Sequence, residues 1–142
     1  MTLDISREPA PASASLSALD GRRRHRFTRE EYYRLGELGF FHHARVELIE
    51  GEIVDMASHE KHHVLCISLV LDALNAAFGT AFWVRCQAPL RLANHSEPEP
   101  DIAVVHGPKK SYQDHPTHAL LVVEVSDTTL RFDCGKKASL YA

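Results

Sequence analysis

The sequence predicts an α/β (α+β) fold, with a mixed β-sheet flanked by helices and preceded by a β-hairpin. Three observations predict it. Apolar residues recur at helical spacing in two segments, a short two-strand pattern lies between them, and two β-branched runs with few polar positions follow.

The elements can be justified in chain order. Thr28-Arg-Glu-Glu31 is a capping box, and Tyr32, Leu35 and Leu38 share one helical face, so a helix is expected over 28–38 with Gly39 as its stop. Arg45–Ile49 and Glu52–Met56 flank Glu50-Gly51 and read as a two-strand hairpin. From Glu60 to Phe78 runs the longest helix, with Val64, Ile67, Leu71 and Leu74 as its apolar stripe and Gly79 at its end. Phe82–Cys86 and Pro89–Leu92 are strand material, and Ala93 to Pro100 is a polar loop. Asp101–His106 and Ala119–Val125 read as central strands covered on both faces. A last helix starts at Gly135 and stops about two turns in, so the domain, residues 27–142, is expected to be truncated at its C-terminus. Residues 1–26, with Pro9, Pro11 and an Ala-Ser alternation, read as a flexible Arg-containing tail.

Composition narrows the function classes. The chain has 142 residues, 44% apolar and 25% charged, which excludes collagen-like, coiled-coil and wholly disordered readings. Asp72 and Asn75 interrupt the longest apolar window, so no membrane span is expected. The first 25 residues hold no apolar secretion core, and three widely spaced cysteines fit a reducing cytoplasm. Net charge is -3, and the basic run Arg22-Arg23-Arg24-His25-Arg26 sits against an acidic body. Such a body suits a divalent cation better than a bare phosphate backbone.

Two constellations compete for chemistry. His59-Glu60-Lys61-His62-His63 matches HExxH, in which two histidines one turn apart hold zinc and the glutamate activates water. Against it stand Lys61 inside the motif, Cys66 and Leu69 where the longer form has Gly and His, and no glutamate between Glu60 and Glu97. The other constellation is a set of acids in apolar runs. Asp101 opens Ile-Ala-Val-Val, Glu124 sits inside Leu-Leu-Val-Val-Glu-Val, and Glu47 lies on the hairpin. An ionised carboxylate among Val and Leu is costly unless paired, and a cation shared between several relieves their repulsion. Oxygen-only ligands select Mg²⁺ or Mn²⁺, and Lys136 or Lys137 would complete a hydrolytic site.

Pro100-Asp101, Glu124 and a following lysine resemble the PD-(D/E)xK nuclease superfamily. More closely, the chain resembles the Uma-type restriction endonucleases, a bacterial group. The segments that carry this are Arg45–Ile53, Pro100–Val105, and Leu121–Asp133 running on to Lys137 and Leu140-Tyr-Ala142. The resemblance covers about residues 28–142. It implies a restriction-endonuclease-like core and a Mg²⁺-dependent (or Mn²⁺-dependent) endonuclease cutting phosphodiester bonds of nucleic acid, DNA above all. Asp101 and Glu124 would be metal ligands and Glu47 the additional acid. Ser126 stands where the superfamily lysine usually is, and the following helix would supply Lys137 instead. Lys136 is the alternative, although one residue turns about 100° on a helix, so both cannot serve. A histidine before the long helix, His62, also fits. A homodimer is a further expectation. Two other readings remain: a nuclease fold kept as a binding or assembly module without turnover, and a zinc metalloprotease acting through His59-Glu60-x-x-His63.

Overall fold

A computed structural model describes residues 23–56, 61–125 and 137–141. The first helix, α1 (Arg29–Glu37), begins as its capping box dictates: the Glu31 amide donates to Thr28 Oγ1 at 3.2 Å, and the Thr28 amide donates to the Glu31 carboxylate at 2.8 Å. Gly39, at φ +88°, ends it. Strands β1 (Val46–Ile49) and β2 (Glu52–Asp55) form the expected hairpin. Its turn residues Glu50 and Gly51 have φ of 51° and 82°, the two left-handed positions of a type I′ turn. Arg24 and Arg26, within the stretch expected to be a tail, lie on this hairpin. Arg24 is 3.7 Å from Glu52, and Arg26 Nε donates to the Glu50 carbonyl at 2.8 Å.

Helix α2 (Lys61–Phe78) is followed by β3 (Phe82–Cys86), β4 (Ile102–His106), β5 (Leu121–Val123) and a short α3 (Ala138–Tyr141). The class is mixed α and β with two small antiparallel sheets, in agreement with the restriction-endonuclease-like core expected. Every pairing among the described strands is antiparallel, in sheets β1–β2 and β3–β4–β5, where one mixed sheet was expected. The connections explain it. A parallel pair needs a long crossover, and the one long helix lies between β2 and β3, which belong to different sheets.

Strand β4 is buried on both faces. Ile102 and Val104 meet Ile67 of α2 together with Val84, while Ala103 and Val105 face Leu90 on the other side. Strand β5 is covered less well than expected, because it lies at the edge of the described sheet with Leu120 and Leu121 exposed. Pro89–Leu92 is not a strand. Its amides go to separate partners, Leu90 to the Pro98 carbonyl and Arg91 to the Pro116 carbonyl, so no ladder forms.

Two expectations about α2 are corrected. Its buried stripe is Ile67, Val70, Leu71, Leu74 and Phe78, and Val64 is exposed. The segment Lys61–Ala81 is also long and apolar enough to cross a membrane by length and composition alone, since the single acid Asp72 and one asparagine do not offset its Leu, Val and Ile. In the fold its inner face packs on the sheet.

Candidate active site

The register of the larger sheet builds the site. Ile102 pairs with Val123, so one step further along the antiparallel ladder Asp101 lies opposite Glu124. Backbone and side chain interlock there. The Asp101 amide donates to Glu124 Oε2 at 3.2 Å, and the Val125 amide donates to Asp101 Oδ2 at 2.8 Å. Each acid is thus oriented by the other's strand.

The hairpin is brought to this point by Glu97-Pro98-Glu99-Pro100, an extended run that crosses from one sheet to the other. The Glu97 amide donates to the Leu48 carbonyl at 2.7 Å, and the Glu99 amide to Glu47 Oε2 at 3.0 Å. Pro98 and Pro100 are fully buried beside β4 and give up no amide that would need a partner there. Glu47 alternates with Val46 and Leu48 and is buried toward the acids, while Glu50 and Glu52 stay exposed at the turn. Helix α1 fastens the outside of this junction. Tyr32 donates its hydroxyl to the Val46 carbonyl at 2.8 Å and Tyr33 bonds to Glu97, while Arg45, just before β1, pairs with Glu99.

Lys137 reaches the same place from the C-terminal side. Its Nζ is 2.9 Å from Glu47 Oε1 and 3.3 Å from Glu124 Oε1, and the residue is only 6% exposed. Tyr141, one turn later on α3, donates its hydroxyl to Glu124 Oε1 at 2.9 Å. Glu47, Asp101, Glu124 and Lys137 therefore converge. Lys136, with Asp133 and Ser126, lies outside the described residues.

His62 does not join them. It is exposed, and the neighbouring His63 takes the position, with Nε2 3.1 Å from Asp101 Oδ1. The reason is helical phase. His63 is four residues before Ile67, on the buried face of α2, and His62 is turned about 100° away. That count would have selected His63 from sequence had Ile67, rather than Val64, been taken as the first buried position. His59 and Glu60 lie outside the described residues, so of the HExxH set only His63 is placed, against Asp101.

Electrostatics follow from burial. Burial pushes the Glu124 carboxyl above the usual glutamate range, against the lowering by Lys137, Tyr141 and the Asp101 amide. Burial works against the Lys137 ammonium, but Glu124 and Glu47 outweigh it and hold the lysine above its ordinary value. Burial and then Asp101 raise the Cys86 thiol, so it stays protonated beside the site. Glu47 and Glu124 share the one ammonium, and Asp101 adds a third carboxyl group beside Glu124, so the cluster holds more acids than lysines.

That surplus and the oxygen donors fit a hard divalent cation. Among the described residues no three His, Cys, Asp or Glu side chains close into a metal cage. Mg²⁺ does not need one, because it is commonly held by one or two carboxylates with water and substrate phosphate completing the shell. Asp101 and Glu124 are a pair of that kind. All six carboxylate oxygens of Glu47, Asp101 and Glu124 already have partners, and Glu47 differs in lying nearest the ammonium, at 2.9 Å, so here it anchors the lysine.

No curated protein matches the chain. Over residues 29–142 its sequence matches Uma2, a family described as "Putative restriction endonuclease", and the chain belongs to that family.

Proposed function

We propose that the protein is a Mg²⁺- or Mn²⁺-dependent endonuclease that hydrolyses phosphodiester bonds of DNA, acting in the cytoplasm. Membership of the family supports a nuclease-like role on nucleic acid, and restriction-endonuclease-like families generally use divalent metals. The observation that carries the reading is Lys137 Nζ, 2.9 Å from Glu47 and 3.3 Å from Glu124, with Glu124 bonded to the Asp101 backbone. A lysine beside paired acids on adjoining strand ends is the arrangement the chemistry requires.

Asp101 and Glu124 would hold the metal, which when bound supplies an activated water and neutralises phosphate charge. Glu47 holds the Lys137 ammonium in place. The lysine remains charged because its acidic neighbours outweigh its burial, and from there it can orient the attacking water and offset negative charge developing on the phosphoryl oxygens. Tyr141 fixes the rotamer of Glu124 by its hydrogen bond to Oε1. His63 and the Val125 amide hold the two Asp101 oxygens from opposite sides.

Plasmid incubated with the protein in Mg²⁺ or Mn²⁺, against EDTA, tests this. Metal-dependent nicking or linearisation supports it. Inertness of a metal-binding protein favours a fold kept as a binding or assembly module, a reading for which the full engagement of Glu47 by Lys137 and Glu99 also speaks.

A further inference from the structure

Helix α2 has two apolar faces, and the sheet covers one of them. On the other, Val64, Leu65 and Leu69 are 51%, 57% and 62% exposed. At about 100° per residue, positions 61, 65, 68, 69 and 72 fall within one stripe turned away from Ile67, Val70, Leu71, Leu74 and Phe78, and Val64 lies at its edge beside Leu71. Three neighbouring large aliphatic side chains on one exposed helix face mark a binding surface more than isolated exposed residues would.

The charges select the occupant. Lys61 and Asp72 are the only lysine, arginine or acidic residues in α2, they have opposite sign, and both lie in this stripe. Neither has an ion-pair or hydrogen-bond partner among the described residues. We propose that this face pairs antiparallel with the same face of a second copy, about a two-fold axis between residues 66 and 67. Lys61 then lies against the second copy's Asp72 and Leu65 against its Ser68, with Val64 and Leu69 along the two flanks of the seam. Both pairings follow from a single register, and two-fold symmetry repeats each of them. A lipid surface fits less well, since both charges and Ser68 lie among the aliphatic side chains and the sheet holds the opposite face. The same helix carries His63 beside Asp101, so the pairing would set two sites at a fixed separation. The proposal goes beyond the nuclease reading and stands without it.

Sedimentation equilibrium of the full chain tests it, with circular dichroism as the folding control, because every changed side chain is exposed. The wild type should show a monomer–dimer equilibrium, and Leu69→Arg should weaken it by roughly tenfold or more. Lys61→Asp and Asp72→Lys should each weaken it through like charges, and together should restore it to within about threefold of wild type. A wild type that stays monomeric, a dimer indifferent to Leu69→Arg, or a double variant no better than the single ones would overturn the pairing. Flotation of monomeric protein with phosphatidylcholine vesicles would overturn it in favour of a membrane surface.

Discussion

Glu47 on the hairpin and Lys137 just before the last helix meet at 2.9 Å, with Glu124 on the lysine's other side at 3.3 Å. This contact joins the smaller sheet to the C-terminal helix and places the one buried ammonium of the described residues at the carboxylate pair. Removing one member of a buried ionic set leaves the others uncompensated, which typically costs about 3 kcal/mol or more. Lys137→Met should therefore lower the unfolding free energy of the metal-free protein, measured by urea titration, by an amount of that order. Added Mg²⁺ should stabilise the variant and the wild type alike, because the lysine is not a ligand. Absence of any stabilisation by Mg²⁺ in either protein would show that the cation does not bind beside these carboxylates.

His63 is predicted to orient Asp101. Hydrogen bonds to a ligating group from outside the coordination shell commonly contribute 10- to 100-fold in metal affinity. Isothermal titration with Mn²⁺ should show a loss of about that size for His63→Leu. Gln, whose amide nitrogen can stand near the imidazole Nε2, should recover most of it. His62→Ala, at an exposed position, should bind as wild type does.

How far the site could be read from sequence depended on local signals. The capping box of Thr28 and Glu31, the Glu50-Gly51 turn, and the acids Asp101 and Glu124 inside apolar runs are all local, and each element stands where it was expected. The phase of α2 was not legible. Val64 and Ile67 are equally apolar, and only the position of the sheet decides which is buried. Choosing between His62 and His63 failed for the same reason. Pro89–Leu92 has strand composition, but the proline-rich run opposite offers it no ladder. Lys137 could be placed near Glu124 only through the resemblance, since no spacing rule links a helix to strand ends so far away in sequence.

Tyr32 supplies a pH test. Burial, with Glu97, Glu99 and Glu47 nearby, pushes its phenol up to about 12 from 10.0. A raised folded value means that the stabilising contribution is complete below pH 10 and is lost as pH rises from 10 towards 12. Stability of the wild type, measured by urea unfolding, should fall over that window, and Tyr32→Phe should fall less steeply. Parallel pH profiles would remove Tyr32 from the account of the junction between α1 and β1.

Gly51 tests the hairpin that presents Glu47. It sits at φ +82°, and a Cβ there would come within 2.6 Å of Arg26 Cβ and 2.9 Å of Arg26 Cα. Gly51→Ala should cost more than about 1 kcal/mol, because the left-handed conformation and the clash add. Gly79, also at positive φ but with open space around it, should cost less when changed to alanine. Thermal melts of the two variants give the comparison, and a larger loss at Gly79 would contradict the packing of Arg26 on the turn.

The central claim is that Asp101 and Glu124 hold a divalent cation and that Lys137 acts beside it on a phosphodiester. The most direct measurement is the cleavage rate of supercoiled plasmid in Mn²⁺ for wild type, Asp101→Asn and Lys137→Ala, read alongside Mn²⁺ affinity. The account predicts cleavage by wild type that EDTA abolishes, loss of both cleavage and affinity in Asp101→Asn, and loss of cleavage with affinity largely kept in Lys137→Ala. Cleavage that persists in EDTA or in Asp101→Asn, or a Lys137→Ala variant that cuts at the wild-type rate, would contradict it.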